Sequence, residues 1–171
     1  MNNLLESVKA LLSTTTLRWL SLTENLPIDL LTRTPLQNEW SAMDCLRHLL
    51  DAERWVFPAR VQALLAGENF VAFDPDTQGT RYTTQNPQQL AEEFARRRKE
   101  SLIGLDRVTI QDLTRRAQHS ELGTVTLGEL LHEWAAHDLM HTVQAERALM
   151  QPFIMGSGPW RLYFKDHDVS K

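Results

Sequence analysis

Apolar side chains recur at three- and four-residue intervals along four separate stretches of the chain, and between them the pattern lapses into proline, glycine and polar residues. That period belongs to helices that bury one face, and each stretch carries its own start signal. The first begins near Asn3, bears Leu4, Val8, Leu11, Trp19 and Leu22, and is ended by Pro27. The second opens at Ser41, with Asp44 at the third helical position and Trp40 and Cys45 placed to staple across the cap, and runs to about Gly67. Pro58 lies inside it; proline lacks an N–H and clashes one turn back, so a kink is expected there. The third starts at Asn86-Pro87, carries Leu90, Phe94, Leu102 and Leu105, and ends around Val108. The fourth starts at Thr126, where Glu129 completes a capping box and Val125 can staple onto Leu130.

The connections are as informative as the helices. Residues 68–85, with Asp74-Pro75-Asp76 and Gly79, read as one long loop, in which only Asn69 to Phe73 offers anything like a strand. Pro152, Gly156, Gly158 and Pro159 predict a break after the fourth helix, before a short aromatic tail, Trp160 to Phe164, that packs back onto the bundle. The expectation is an all-α protein: one domain over residues 1–171, an up-down-type four-helix bundle with one long loop and a short C-terminal tail segment.

Composition narrows the function. A chain of 171 residues buries enough surface in one core to need no staple. A formal net charge of −4 argues against a nucleic-acid partner, and the run Arg96 to Lys99 reads as a solvated helix face. Within it Arg98 stands out. It lies four residues after Phe94 and four before Leu102, interrupting an apolar stripe, and is a candidate for meeting an anionic substrate. No apolar run is long enough to span a bilayer. Glu6 interrupts the N-terminal stretch where a signal peptide would be greasy, so the expected start is the mature one. The single cysteine, Cys45, excludes an intrachain disulfide and favours a cytoplasmic protein.

The chemistry lies in the inward stripe of the fourth helix, Leu127, Leu130, Trp134, His137, His141, Ala145, Ala148. Two imidazoles occupy positions where apolar side chains belong. Buried imidazole needs partners for its ring nitrogens, and a shared metal ion would serve both rings. A His-x-x-x-His pair spans about one helical turn, close enough for two rings to reach one ion. Two ligands alone make a weak site; His48, bordering the apolar line Cys45, Leu49, Ala52, Val56, is the best third candidate. His119 in a loop, His167 in the tail and His132, off the stripe, are left out. Glu129-Leu-Leu-His132 is half of a di-iron signature whose second copy is missing, and His132 to His137 is one residue too long for a zincin motif. Cys45 reads as a small buried hydrophobe.

Trp40-Ser41 opening a helix that carries His48, followed by ELGTVTLGELLHEWAAHDLMHTVQAERAL near the end, resembles the DinB/YfiT-like superfamily. The resemblance implies a four-helix bundle with a metal held by one histidine of the second helix and a His-x-x-x-His pair of the fourth. His48, His137 and His141 stand at those places. It also implies a divalent cation; imidazole suits zinc, nickel, iron and copper alike, and zinc or nickel is expected. It implies, too, a homodimer in many members.

Three nitrogen ligands leave a position for water or substrate, as in catalytic rather than structural sites. Three functions follow from such an open site. The resemblance puts first the transfer of a low-molecular-weight thiol (bacillithiol, mycothiol, glutathione or similar) to an electrophilic small molecule. The second is hydrolysis by a metal-bound hydroxide, with Glu133 or Asp44 accepting the proton. The third is a non-catalytic stress protein that binds the metal or a small ligand. Asp44, Glu133, Asp138 and Gln144 are the candidates for orienting the imidazoles from behind.

Overall fold

In the computed structural model, which describes residues 4–73 and 86–170, four helical arms form a bundle. The first arm is α1 (Leu4–Asn25), followed by the short α2 (Ile28–Thr32). The second is α3 (Ala42–Trp55) continued by α4 (Phe57–Ala66), the third is α5 (Pro87–Leu105), and the fourth is α6 (Leu127–Gly156). The all-helical four-helix bundle expected from the apolar period is what the chain builds. No helix among the described residues is long and apolar enough to cross a membrane.

The caps form where the sequence places them. Ser41, Asn86 and Thr126 each accept from the backbone N–H three residues on, and the side chains of Asp44, Gln89 and Glu129 answer them. The second arm bends where Pro58 predicts. Proline at that position would clash with the carbonyl one turn back in a straight helix, so regular winding stops at Trp55 and restarts at Phe57, with Val56 at φ −111° and ψ −79° between them. Gly67 ends the arm at φ 73°, a left-handed conformation that favours glycine.

Contacts along the arms fix their directions. Lys9 of α1 pairs with Asp106 just past α5, and Arg18 of α1 with Glu146 of α6. Phe57, opening α4, stacks on Trp134 of α6, while His48, nine residues earlier, meets His137. The arms therefore run up, down, down, up. Both α1 and α3 pack against α5 and α6, so the first and second arms lie across one diagonal of the bundle and the third and fourth across the other.

Two departures from the sequence reading matter for the site. A β-hairpin joins α5 to α6: β1 (Arg116–His119) pairs antiparallel with β2 (Gly123–Thr126), and Phe70 bridges to His119 alongside it. His119 is thus on a strand and buried, not in a loop. The expected strand at Asn69 to Phe73 reduces to that one bridge, and the rest of the expected loop, residues 74–85, lies outside the described residues.

The break expected at Pro152 does not occur; α6 passes through it to Gly156. Buried Ile154 beyond the proline and buried Gln151 before it keep the last turn on the core, offsetting the lost hydrogen bond. The tail does return to the bundle, by polar rather than aromatic contacts. Gln151 Nε2 donates to the carbonyl of His167 at 2.9 Å, and its Oε1 accepts from Val169 N–H at 3.2 Å. Trp160, Leu162 and Tyr163 remain exposed.

Candidate metal centre

His48 projects from the second turn of α3, and His137 and His141 from adjacent turns of α6 opposite it. The ligating atoms of the three rings all lie within 4.8 Å of one another. His48 Nε2 and His137 Nε2 approach to 3.0 Å, close to the roughly 3.3 Å that two ring nitrogens adopt around one tetrahedral cation. The rings of His137 and His141 meet edge to face, 4.5 Å between centroids.

Burial, reinforced by the charge of neighbouring imidazoles, pushes His48 down to about 4 and His137 down to about 3 from the ordinary 6.5. Burial also lowers His141. All three rings are therefore neutral at physiological pH, the form that ligates metals. Three neutral nitrogens gathered within reach of one another fit a divalent cation.

The surroundings only partly follow expectation. Gln144 Oε1 lies 2.9 Å from His141 Nδ1, so that nitrogen carries the proton and leaves Nε2 free to ligate. Asp44 instead closes the Ser41 cap and pairs with Arg47 at 3.0 Å. Asp138 turns to the bundle interior, one residue round the helix from His137, and binds Arg98. His137 Nδ1 is buried without a hydrogen-bond partner among the described residues. Glu133 lies at the cleft wall beside His137 rather than behind a ring.

Arg98 is a correction. Its side chain is 1% exposed and cannot meet a substrate. It donates to Asp138 through both terminal nitrogens, at 2.7 and 3.2 Å, to Glu53 at 2.9 Å and to the carbonyl of Leu12 at 3.0 Å. Those acceptors come from α6, α3 and α1, so the one guanidinium ties all four arms together. The reason is legible once the fold is known: the stripe that Arg98 interrupts faces two buried carboxylates.

Cys45 stays out of the metal site. Burial pushes its thiol up to about 12, far from the thiolate needed to ligate. His132 and His167 are exposed and away from the cluster.

Sequence reasoning missed several residues that shape the centre. Trp40, the expected staple, stacks on His141 at 5.5 Å and leans on His48 at 5.1 Å, covering one side of the rings. Phe57 sets its ring against His137 at 5.1 Å. On the open side lies a cleft of about 280 Å³ whose walls include His48, His137, Arg60, His119, Glu121 and Glu133. A cavity of about 270 Å³ between the second arm and α5, lined by Arg54, Pro58, Gln62, Arg97 and Ser101, receives no imidazole. The chemistry is confined to the first.

The sequence from residue 11 to residue 145 matches the family model of the DinB superfamily, which spans every arm of the bundle. The chain belongs to the DinB superfamily. The solved structure of YfiT from Bacillus subtilis superposes on this member with a TM-score of 0.73 over 87% of each chain, at 16% identity. YfiT is described as a probable metal-dependent hydrolase with an unusual four-helix bundle topology. At that identity the likeness speaks for the fold. A search of curated proteins finds no sequence match.

Proposed function

We propose that this DinB-superfamily protein is a metal-dependent hydrolase acting on a small molecule bound in the cleft beside His48 and His137. The observation that carries the reading is one arrangement: three neutral imidazoles converge, two of them, His48 and His137, in the wall of a cleft that also holds a carboxylate, Glu133. A zinc- or nickel-type cation held by His48, His137 and His141 would supply Lewis acidity that makes water, or a thiol, a nucleophile near neutral pH.

The protein's own residues do the rest. Glu133 is 52% exposed and sits one turn before His137, placed to accept the proton released by the attacking water. Gln144 holds the His141 ring in one tautomer. Trp40 covers the His48 and His141 rings on the side away from the cleft, and Phe57 packs against His137 in the cleft wall. The metal-dependent hydrolase description of YfiT supports the same assignment.

Thiol transfer, which the resemblance puts first, becomes the second reading. It needs no protein base, because a coordinated thiol loses its proton outright, and so gives Glu133 no role. The two readings separate on one variant. Metal content by elemental analysis of protein purified without a histidine tag should be near stoichiometric and lost when His48, His137 and His141 are all alanine. In the loaded protein, Glu133→Gln should lower kcat for hydrolysis of an ester or amide panel by about a hundredfold. Conjugation of thiols to electrophiles, unaffected by Glu133→Gln, would select thiol transfer instead. Absence of metal in the wild-type protein after reconstitution refutes both.

A further inference from the structure

The cleft that His48 and His137 line also carries an unusual pair, Arg60 of α4 and His119 of β1. His119 Nδ1 accepts two backbone hydrogen bonds, from the N–H of Glu121 at 3.1 Å and of Leu122 at 3.3 Å. A ring nitrogen that accepts carries no proton, so the proton of His119 is on Nε2, which is a donor. That Nε2 lies 3.5 Å from Arg60 Nη2. A guanidinium only donates, so two donors face each other and no hydrogen bond can join them.

Nothing among the described residues resolves the conflict. The side chain of Arg60 is 12% exposed, and its nearest carboxylate, Glu133, stays 3.9 Å from Nη1. Phe70 holds both members of the pair, lying 5.5 Å from the Arg60 guanidinium and edge to face with His119, also at 5.5 Å. Burial lowers the Arg60 pKa against the pull of Glu133 and Glu121, as expected for a cation short of close partners. Arg98, with four close acceptor contacts, shows what a satisfied guanidinium looks like in this fold.

We propose that Arg60 and His119 form an oxyanion subsite of the cleft, so that the substrate carries a carboxylate or phosphate at the end away from the three histidines. Arg60 and His119 line the same cleft as His48 and His137. An oxyanion between them would accept from the Arg60 fork and from His119 Nε2–H, turning two opposed donors into a binding site. The inference rests on the proposed function only for where the reacting end lies; binding of the anion itself does not require the cation.

The test is calorimetric titration of the protein with inorganic phosphate in one arm and acetate in the other. Saturable binding of either anion is expected, weakened at least tenfold by Arg60→Gln, weakened several-fold by His119→Phe, and tightened by Glu133→Gln, which removes the competing carboxylate. His137→Ala should leave it within about twofold, which separates this subsite from an anion seated on a metal. The stronger arm tells whether the substrate group is a phosphate or a carboxylate. Independently of any variant, nitrogen NMR of the histidine rings should show His119 protonated at Nε2, with that proton's resonance moving on anion addition. No saturable binding in either arm, equal binding by Arg60→Gln, or loss in His137→Ala alone would overturn the proposal.

Discussion

His137 and Asp138 are consecutive residues of α6, yet they serve opposite kinds of buried polar cluster. Asp138 enters a set tied by one cation: Arg98 meets it bidentately and reaches Glu53 Oε2 and the Leu12 carbonyl as well, while Glu53 Oε1 has no hydrogen bond among the described residues. His137 enters a set of imidazoles positioned by ring packing and by Gln144, with one ring nitrogen against another imidazole and its Nδ1 without a partner among the described residues. One cluster is tied by a cation of the protein's own; the other gathers three imidazoles with no charged partner between them. A core that gives one buried polar cluster a cation of its own and its neighbour none marks the second as the candidate for function.

The sharpest way to break the comparison is to remove Arg98. Arg98→Ala strands two buried carboxylates and should cost about 3–5 kcal/mol in urea unfolding. A loss below about 1 kcal/mol would mean that the ion cluster is not what ties the arms. His137→Ala should abolish stoichiometric metal while costing the metal-free protein only about 1–2 kcal/mol. An equal loss in both variants would erase the distinction between the clusters.

Acid sharpens it further. The unfolded chain takes up protons on His48 and His137 near 6.5, whereas the folded protein holds them off to about 4 and about 3. Protonation thus favours unfolding. Metal-free stability should be full above about pH 6.5 and fall progressively toward pH 3, with the slope reduced in a His48→Gln, His137→Gln double variant. A urea midpoint that changes with pH equally in both proteins would assign the acid loss to carboxylates alone. The smallest effect is expected at Gln144→Ala, which frees the His141 ring and should weaken metal binding by about tenfold at unchanged fold.

The arms were legible because each one repeats a local period and announces its own cap; Ser41, Asn86 and Thr126 needed no tertiary knowledge. The three histidines were legible for the same reason, as polar residues set in or beside apolar stripes. Arg98 shows where that logic ends. Its position identified it as exceptional, but its partners Glu53 and Asp138 lie on other helices, and no spacing encodes a pairing across a bundle. The hairpin escaped notice because each strand is four residues long and Arg-Ala-Gln-His and Gly-Thr-Val-Thr offer one aliphatic side chain apiece, too little for a period to show. His119 and Arg60 were hidden with it, since a cleft wall made of a strand and a separate helix exists only in three dimensions.

The diagonal arrangement of the arms also sets a timetable. Domains emerge from the ribosome N-terminus first, at about 5–20 residues per second. A nascent chain ending at Ala136 would hold one imidazole of the three and an Arg98 still lacking Asp138, the carboxylate that grips it twice. Both clusters are completed within the next five residues, by the last arm to be made. Until then the growing chain has neither the three-histidine cluster nor the ionic tie through its core, so both arrive together with the fourth arm.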